Sequence, residues 1–254
     1  LLNLFLLKIL NYEEGLFRII FELFKFKDYN ELKTAVDLWC SDRTAAMIRY
    51  GHISDWNVSK ITDMTELFSQ KIEFNDDLSR WDVSNVIYMD SMFSQCYDFN
   101  QNINKWDVRR VTNMMGMFSN CYRFNQPLNK WKTNCLVEMN EMFENCLVFN
   151  QNINKWNVYK VEDMSYVFDG CEKFNQPLDK WEVNNVENMS FMFSGCKEFD
   201  QDISEWELVN IENIGSMFDE CYNFECSLDK WYDYLKNEND RNYIWEFIRY
   251  DYMC

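Results

Sequence analysis

Six cysteines stand at one spacing, Cys96, Cys121, Cys146, Cys171, Cys196 and Cys221, each 25 residues after the last. Thiols could form disulfides, bind metal or act as nucleophiles, depending on how the chain gathers them. Metal binding needs convergent ligands, and a one-dimensional row in a chain with a single histidine, His52, does not converge. Coils stacked about 4.8 Å apart lie inside the Cα window for a disulfide. Equivalent cysteines with parallel side chains in an apolar row are more simply reduced, buried thiols packing as small hydrophobes. That reading favours a reducing interior or a virion over a secreted or cell-surface location. No Ser-His-Asp set assembles around one histidine, and the carboxylates are scattered rather than gathered. The chain therefore reads as no enzyme, with no cofactor and no metal.

Three polar sets share the same period. Arg80, Lys105, Lys130, Lys155 and Lys180 each precede a tryptophan, flanked in that column by Asp55 and Glu205. Stacked like charges repel and would attract an acidic partner or anionic ligand. The competing reading is a solvated stripe, offset by Asp82, Asp107, Glu182 and Glu207. The pairs Asn100-Gln101, Asn125-Gln126, Asn150-Gln151 and Asn175-Gln176 suit amide ladders that bond from coil to coil, with glycan recognition a weaker alternative. By contrast, the two residues after each cysteine vary freely, and Tyr97, Tyr122, Arg123 and Tyr222 among them are candidates for reading a protein partner.

These sets are positioned by a repeat without insertion or deletion. Trp56, Trp81, Trp106, Trp131, Trp156, Trp181, Trp206 and Trp231 recur every 25 residues. Methionines run from Met64 to Met189, with Ile214 in the last copy, and phenylalanines from Phe68 to Phe218 and from Phe74 to Phe224. One copy cannot bury such columns alone, whereas stacking turns each into a ladder and gives one long core. The fold class expected is an α/β repeat solenoid. The apolar spacing of Val86, Met89, Met92, Phe93 and Cys96 predicts a short helix or 3₁₀ turn. The following Phe-Asn-Gln-x-Ile/Leu stretch predicts one short parallel strand per coil, with Pro127 and Pro177 unable to donate there. A longer period is also present: residues 99–106 and 149–156 are identical, so 50-residue blocks were duplicated.

The pattern Met-Phe-x-x-Cys-x-x-Phe-Asn-Gln-x-Ile-x-x-Trp-x-Val-x-x-Val, as in residues 92–111, resembles the BspA-like leucine-rich-repeat surface proteins. The likeness is to their 25-residue branch, a mycoplasma-type lipoprotein repeat of unknown function. It covers about residues 30–231. The resemblance implies a right-handed leucine-rich-repeat-like solenoid for binding or display, with helical caps and no catalytic residues. Copy 131–155 departs from it with Lys132-Thr-Asn-Cys-Leu136, where a looser side is expected. Copy 206–230 departs with Ile214 and Cys226.

The organisation expected is an apolar helical segment over 1–29, a cap over 30–55, seven repeats over 56–230 and a C-terminal cap over 231–254. Segment 1–29 reads as a helical cap, since it has neither a basic leader region nor a small-residue cleavage site, with a remnant signal sequence or a partner-binding helical motif as the alternative. Six glycines and two prolines leave no phosphate-binding loop and no linker, and no apolar run is long enough to span a membrane. The net charge of −17 disfavours nucleic acid and anionic membranes as partners of the whole surface. The function expected is a non-catalytic protein-protein interaction scaffold. The alternative is a structural component of a large assembly, such as a large-DNA-virus capsid or a cell-surface layer.

Overall fold

Asp28 starts the first helix: its carboxylate accepts from the Glu31 amide at 3.0 Å, while Glu31 accepts from the Lys27 amide at 2.9 Å. This reciprocal pairing satisfies orphan donors at the helix start. Helix α1 (Tyr29–Ser41) buries Leu32, Ala35, Val36 and Trp39, a stripe at helical spacing. Asp42 then caps α2 (Arg43–Tyr50), and Gly51, at φ 74°, turns the chain out of it. Phe26, Trp39 and Tyr50 pack against the Trp56 ring at centroid distances of 5.2, 5.9 and 5.9 Å. At the other end a 3₁₀ turn (Asp229–Asp233) leads to helix α3 (Glu238–Asp251). The computed structural model describes residues 26–251, so most of the apolar segment 1–29 and the last three residues of the C-terminal cap lie outside the described residues.

Between the caps, each 25-residue unit is a chain of tight turns lying on its neighbour. In one unit, i→i+3 bonds close Met89 to Met92, Ser91 to Ser94, Phe93 to Cys96 and Cys96 to Phe99. Alternate amides of the same stretch reach forward: Met89, Ser91, Phe93 and Gln95 donate to the carbonyls of Asn113, Met115, Met117 and Ser119. Such a conformation needs left-handed residues at fixed places. One column has positive φ at Glu66, Ser91, Gly116, Glu141, Tyr166, Phe191 and Ser216; the other, four residues on, at Gln70, Gln95, Asn120, Asn145, Gly170, Gly195 and Glu220.

This geometry corrects the sequence expectation in two respects. The stretch from Val86 to Cys96 makes the i→i+3 turns expected of it, but as separate turns rather than a continuous helix. It also carries the parallel backbone ladder, with bridges Asp63 to Tyr88, Tyr88 to Asn113 and Asn113 to Glu138, then Asp163 to Asn188 and Asn188 to Asn213. A run of i→i+3 turns separated by left-handed residues sends Met89, Met92, Phe93 and Cys96 inward just as a helix face would. The Phe-Asn-Gln stretch, expected as the strand, forms no backbone bridge among the described residues. Its amide side chains join the coils instead.

Among the described residues the run of bridges is interrupted between Glu138 and Asp163, in the departing copy. There Thr133, buried where most copies place valine, donates its hydroxyl to the Asn157 carbonyl at 3.0 Å and accepts from the Asn157 amide at 2.8 Å.

Because the turn amides donate forward, the first coil is left with open carbonyls on this face and the last with open amides. The caps answer each in kind. Lys33 Nζ donates to the open Leu67 carbonyl at 3.1 Å and also to the Glu66 carbonyl, which the Ser69 amide already bonds. At the far end the Asp240 carboxylate accepts from the Ile214 amide and the Tyr243 hydroxyl from the Phe218 amide at 2.8 Å. Burial holds the Asp240 carboxyl above its ordinary range, opposed by that amide bond.

The left-handed positions yield a sharp contrast. A Cβ on Gly170, at φ +70°, would lie 2.4 Å from Asn145 Oδ1, whereas on Gly116, at φ +57°, the nearest atom is Ser91 Oγ at 3.3 Å. Gly170→Ala is expected to cost about 1–3 kcal/mol and Gly116→Ala clearly less, as read by urea unfolding. Equal losses would remove the steric argument.

Candidate interaction surface

Most of the periodic chemistry is consumed in joining coil to coil. Each ladder thiol donates to the phenylalanine carbonyl 28 residues earlier: Cys96 to Phe68 at 3.0 Å, Cys121 to Phe93 at 3.1 Å, Cys146 to Phe118, Cys171 to Phe143, Cys196 to Phe168 and Cys221 to Phe193. Burial pushes the Cys96 and Cys221 thiols up to about 12 and the four between them well above the ordinary value. Such groups are poor nucleophiles and poor ligands, because the thiolate both roles require is expelled from an apolar row.

The tryptophans follow the same rule. Trp81 Nε1 donates to the Ile53 carbonyl at 2.8 Å, Trp106 to Leu78, Trp131 to Ile103, Trp156 to Leu128, Trp181 to Ile153 and Trp206 to Leu178. Trp56 donates to Gly51 in the cap. Trp231 breaks the series, its buried Nε1 having no partner among the described residues. The carbonyl it would use, that of Ile203, faces the Cys226 thiol, which stands where the five preceding copies have glutamine.

The Asn-Gln pairs form the amide ladder. Asn75 Oδ1 accepts from the Asn100 amide and Gln101 Nε2, Asn100 Oδ1 from Asn125 and Gln126, Asn125 from Asn150 and Gln151, and Asn150 from Asn175 and Gln176. The 50-residue block has its own device. Buried Asn104 donates to Asn129 and accepts from the Lys130 amide, and Asn154 repeats this with Asp179 and Lys180.

The variable residues after each cysteine meet one another across coils. Tyr97 and Tyr122 stack at 4.5 Å, and Arg123 pairs with Asp98 at 3.3 Å. Two units on, Lys173 pairs with Glu198 at 2.5 Å and Lys197 with Glu172 at 2.7 Å. Tyr222 stands apart, 72% exposed, and Val148 lies exposed between the two paired blocks. Sequence reasoning did not find this cross-coil matching, although comparing positions 25 apart reveals it. It also missed the half-buried stack of Tyr166 on Phe191 at 4.8 Å, both residues in the left-handed region.

The basic column divides into ends and a middle. Arg80 pairs with Asp55, and Lys230 with Glu205, each acid one coil earlier in the same column. Lys105, Lys130, Lys155 and Lys180 are exposed and make no ion pair among the described residues. The acids expected to offset them are engaged elsewhere: Asp107 with Arg109, Asp82 with Ser84 and Glu207 with Asn184. The Arg109 side chain holds the Asp107 carboxyl below its usual range. Only Glu182 remains, in a shallow depression it shares with Lys155 and Lys180. A second depression, lined by Lys105, Trp106, Asp107, Arg109, Lys130 and Lys132 among others, lies 50 residues earlier in the pattern.

Among the described residues no group of histidine, cysteine or carboxylate side chains could hold a metal, and no helix is long and apolar enough to cross a membrane. Residues 40–156 and 137–246 match a family described as "Mycoplasma protein of unknown function, DUF285". No curated protein matches the chain.

Proposed function

The chain belongs to the mycoplasma protein family of unknown function DUF285, and on that footing we propose that it is a non-catalytic protein-protein interaction solenoid. Its coil is right-handed, of the BspA-like leucine-rich-repeat kind. One observation carries this reading: thiols, indoles and amides of the repeated columns are spent on coil-to-coil hydrogen bonds, so what reaches solvent is side chains of the aperiodic or unpaired positions. A stacked array bearing such positions at fixed spacing is suited to recognising an extended surface. The Tyr97–Tyr122 and Arg123 block, Tyr222, and the lysines beside the tryptophans are its recognition residues.

The test is site-specific photo-crosslinking in the cells that naturally make the protein. A benzophenone side chain at Tyr122 or Tyr222 is expected to yield one discrete protein adduct. The same group at Ile48, 84% exposed on the N-terminal cap, is expected to yield none. Adducts from Tyr122 and Tyr222 no more specific than those from Ile48 would overturn the proposal.

A further inference from the structure

We propose that the unpaired lysines Lys105, Lys130 and Lys155, together with Lys132, form a binding site for an extended acidic polypeptide segment lying along the stack. This deepens the interaction reading above and rests on it. The column is self-neutralising wherever it contains an acid, as Arg80–Asp55 and Lys230–Glu205 demonstrate. Through the middle coils no acid occurs in it, and the side chains stay exposed with no ion pair among the described residues, Glu182 alone sharing a depression with Lys155 and Lys180. The neighbouring column reinforces the charge at one place only. The residue after the tryptophan is Asn57, Asp82, Asp107, Asn157, Glu182 or Glu207 in the other copies, but Lys132 in the departing copy. Trp131 is therefore flanked by exposed cations on both sides.

Below it, Lys105, Lys130 and Lys132 share one depression with Arg109, whose charge is met by Asp107. Thus the sequence departure at 132 and the unpaired stretch of the stripe coincide, and they do so in a chain whose overall charge is −17.

The chemistry of the site selects among anions. The indoles beneath the lysines are buried, Trp106 at 4%, Trp131 at 2% and Trp156 at 2% exposure, and Trp131 and Trp156 are stacked on each other at 5.9 Å. No ring face is offered to a nucleobase or a sugar, so the stacking on which single-stranded nucleic-acid binding relies is missing. A long polyanion would also meet the negative field of the rest of the surface. What remains is ammonium donors at coil spacing. Lysines from 105 to 155 span about 10 Å, the length of roughly three residues of extended peptide, and carboxylates on such a peptide would meet them in turn.

Binding of a fluorescein-labelled deca-glutamate peptide to the purified protein, followed by anisotropy, tests the proposal. A deca-glutamine peptide and an oligothymidylate of equal charge serve as comparisons. The protein is expected to bind deca-glutamate, more weakly as salt rises, and Lys130→Glu/Lys132→Glu to weaken binding by about tenfold or more. Lys60→Glu/Lys160→Glu, an equal charge change at exposed positions of another column, is expected to leave binding within about twofold of wild type. Circular dichroism confirms folding of both variants, whose changes all lie at exposed positions. No binding of deca-glutamate, equal losses in the two variants, or oligothymidylate binding as tightly would each overturn the proposal. Because the probe is synthetic, a negative result leaves the crosslinking outcome intact, and failure of the crosslinking leaves peptide binding to be read separately.

Discussion

Raising the pH from about 8 to about 10 is expected to destabilise the chain strongly, with the buried thiol row as the cause. Unfolded cysteines titrate near 9.0, whereas the folded Cys96 and Cys221 hold their protons to about 12 and the four thiols between them also titrate well above 9.0. A folded pKa raised above the unfolded one means stability is intact below pH 9 and falls above it, because only the unfolded state releases protons there. At pH 10 each thiol contributes a loss of about 1 kcal/mol. Six together amount to several kcal/mol, a large share of the stability of a typical domain. Urea midpoints measured between these pH values provide the check. Cys121→Ala and Cys146→Ala should each flatten the alkaline slope by about a sixth. A midpoint that does not move between pH 8 and 10 would show that the thiols do not titrate as a buried row.

The second large effect is expected at the centre of the phenylalanine ladder. Phe143 is fully buried, with its ring 5.6 Å from Phe118, 5.8 Å from Phe168, 4.2 Å from Phe149 and 6.1 Å from Trp156. Phe143→Ala empties a site whose walls belong to three successive coils, and should cost about 3–5 kcal/mol in urea unfolding. In an array held by nearest-neighbour contacts the damage should also be local. Hydrogen exchange should accelerate in residues 118–168 and remain slow in the terminal coils. Phe74→Ala, in the first repeat and 6% exposed, should cost less. A loss below about 1.5 kcal/mol at Phe143 would mean that the central stack is not close-packed.

Much of the core was legible because residues of one type at a constant period leave few alternatives. The tryptophan, phenylalanine and cysteine columns are buried, and the Asn-Gln pairs bond from coil to coil along the repeat. The position of the backbone ladder was not legible from apolar spacing, since Met89, Met92, Phe93 and Cys96 satisfy a helix and a run of left-handed turns equally well. The available signal lay in a polar column. Asn120, Asn145, Gly170 and Gly195 succeed one another at one place in the repeat, and these residue types tolerate positive φ most readily. For the surface, residue identities suggested that Asp107 offsets Lys105. The fold gives that carboxylate to Arg109, two residues along, whose guanidinium reaches it without crossing between coils. Such competition between a local and a cross-coil partner is decided by geometry that composition does not carry.

The two ends of the stack are chemically complementary. The open Leu67 carbonyl that Lys33 covers and the open amides that Asp240 and Tyr243 cover belong to the two halves of the junction that every internal coil makes with the next. Uncovered, the tail of one molecule would present to the head of another the same surface it presents internally, and a head-to-tail contact of this kind does not close on itself. The caps therefore set the length of the object as well as its stability: without them, nothing in the repeat distinguishes the seventh coil of one chain from a place where another chain could continue it into a fibre.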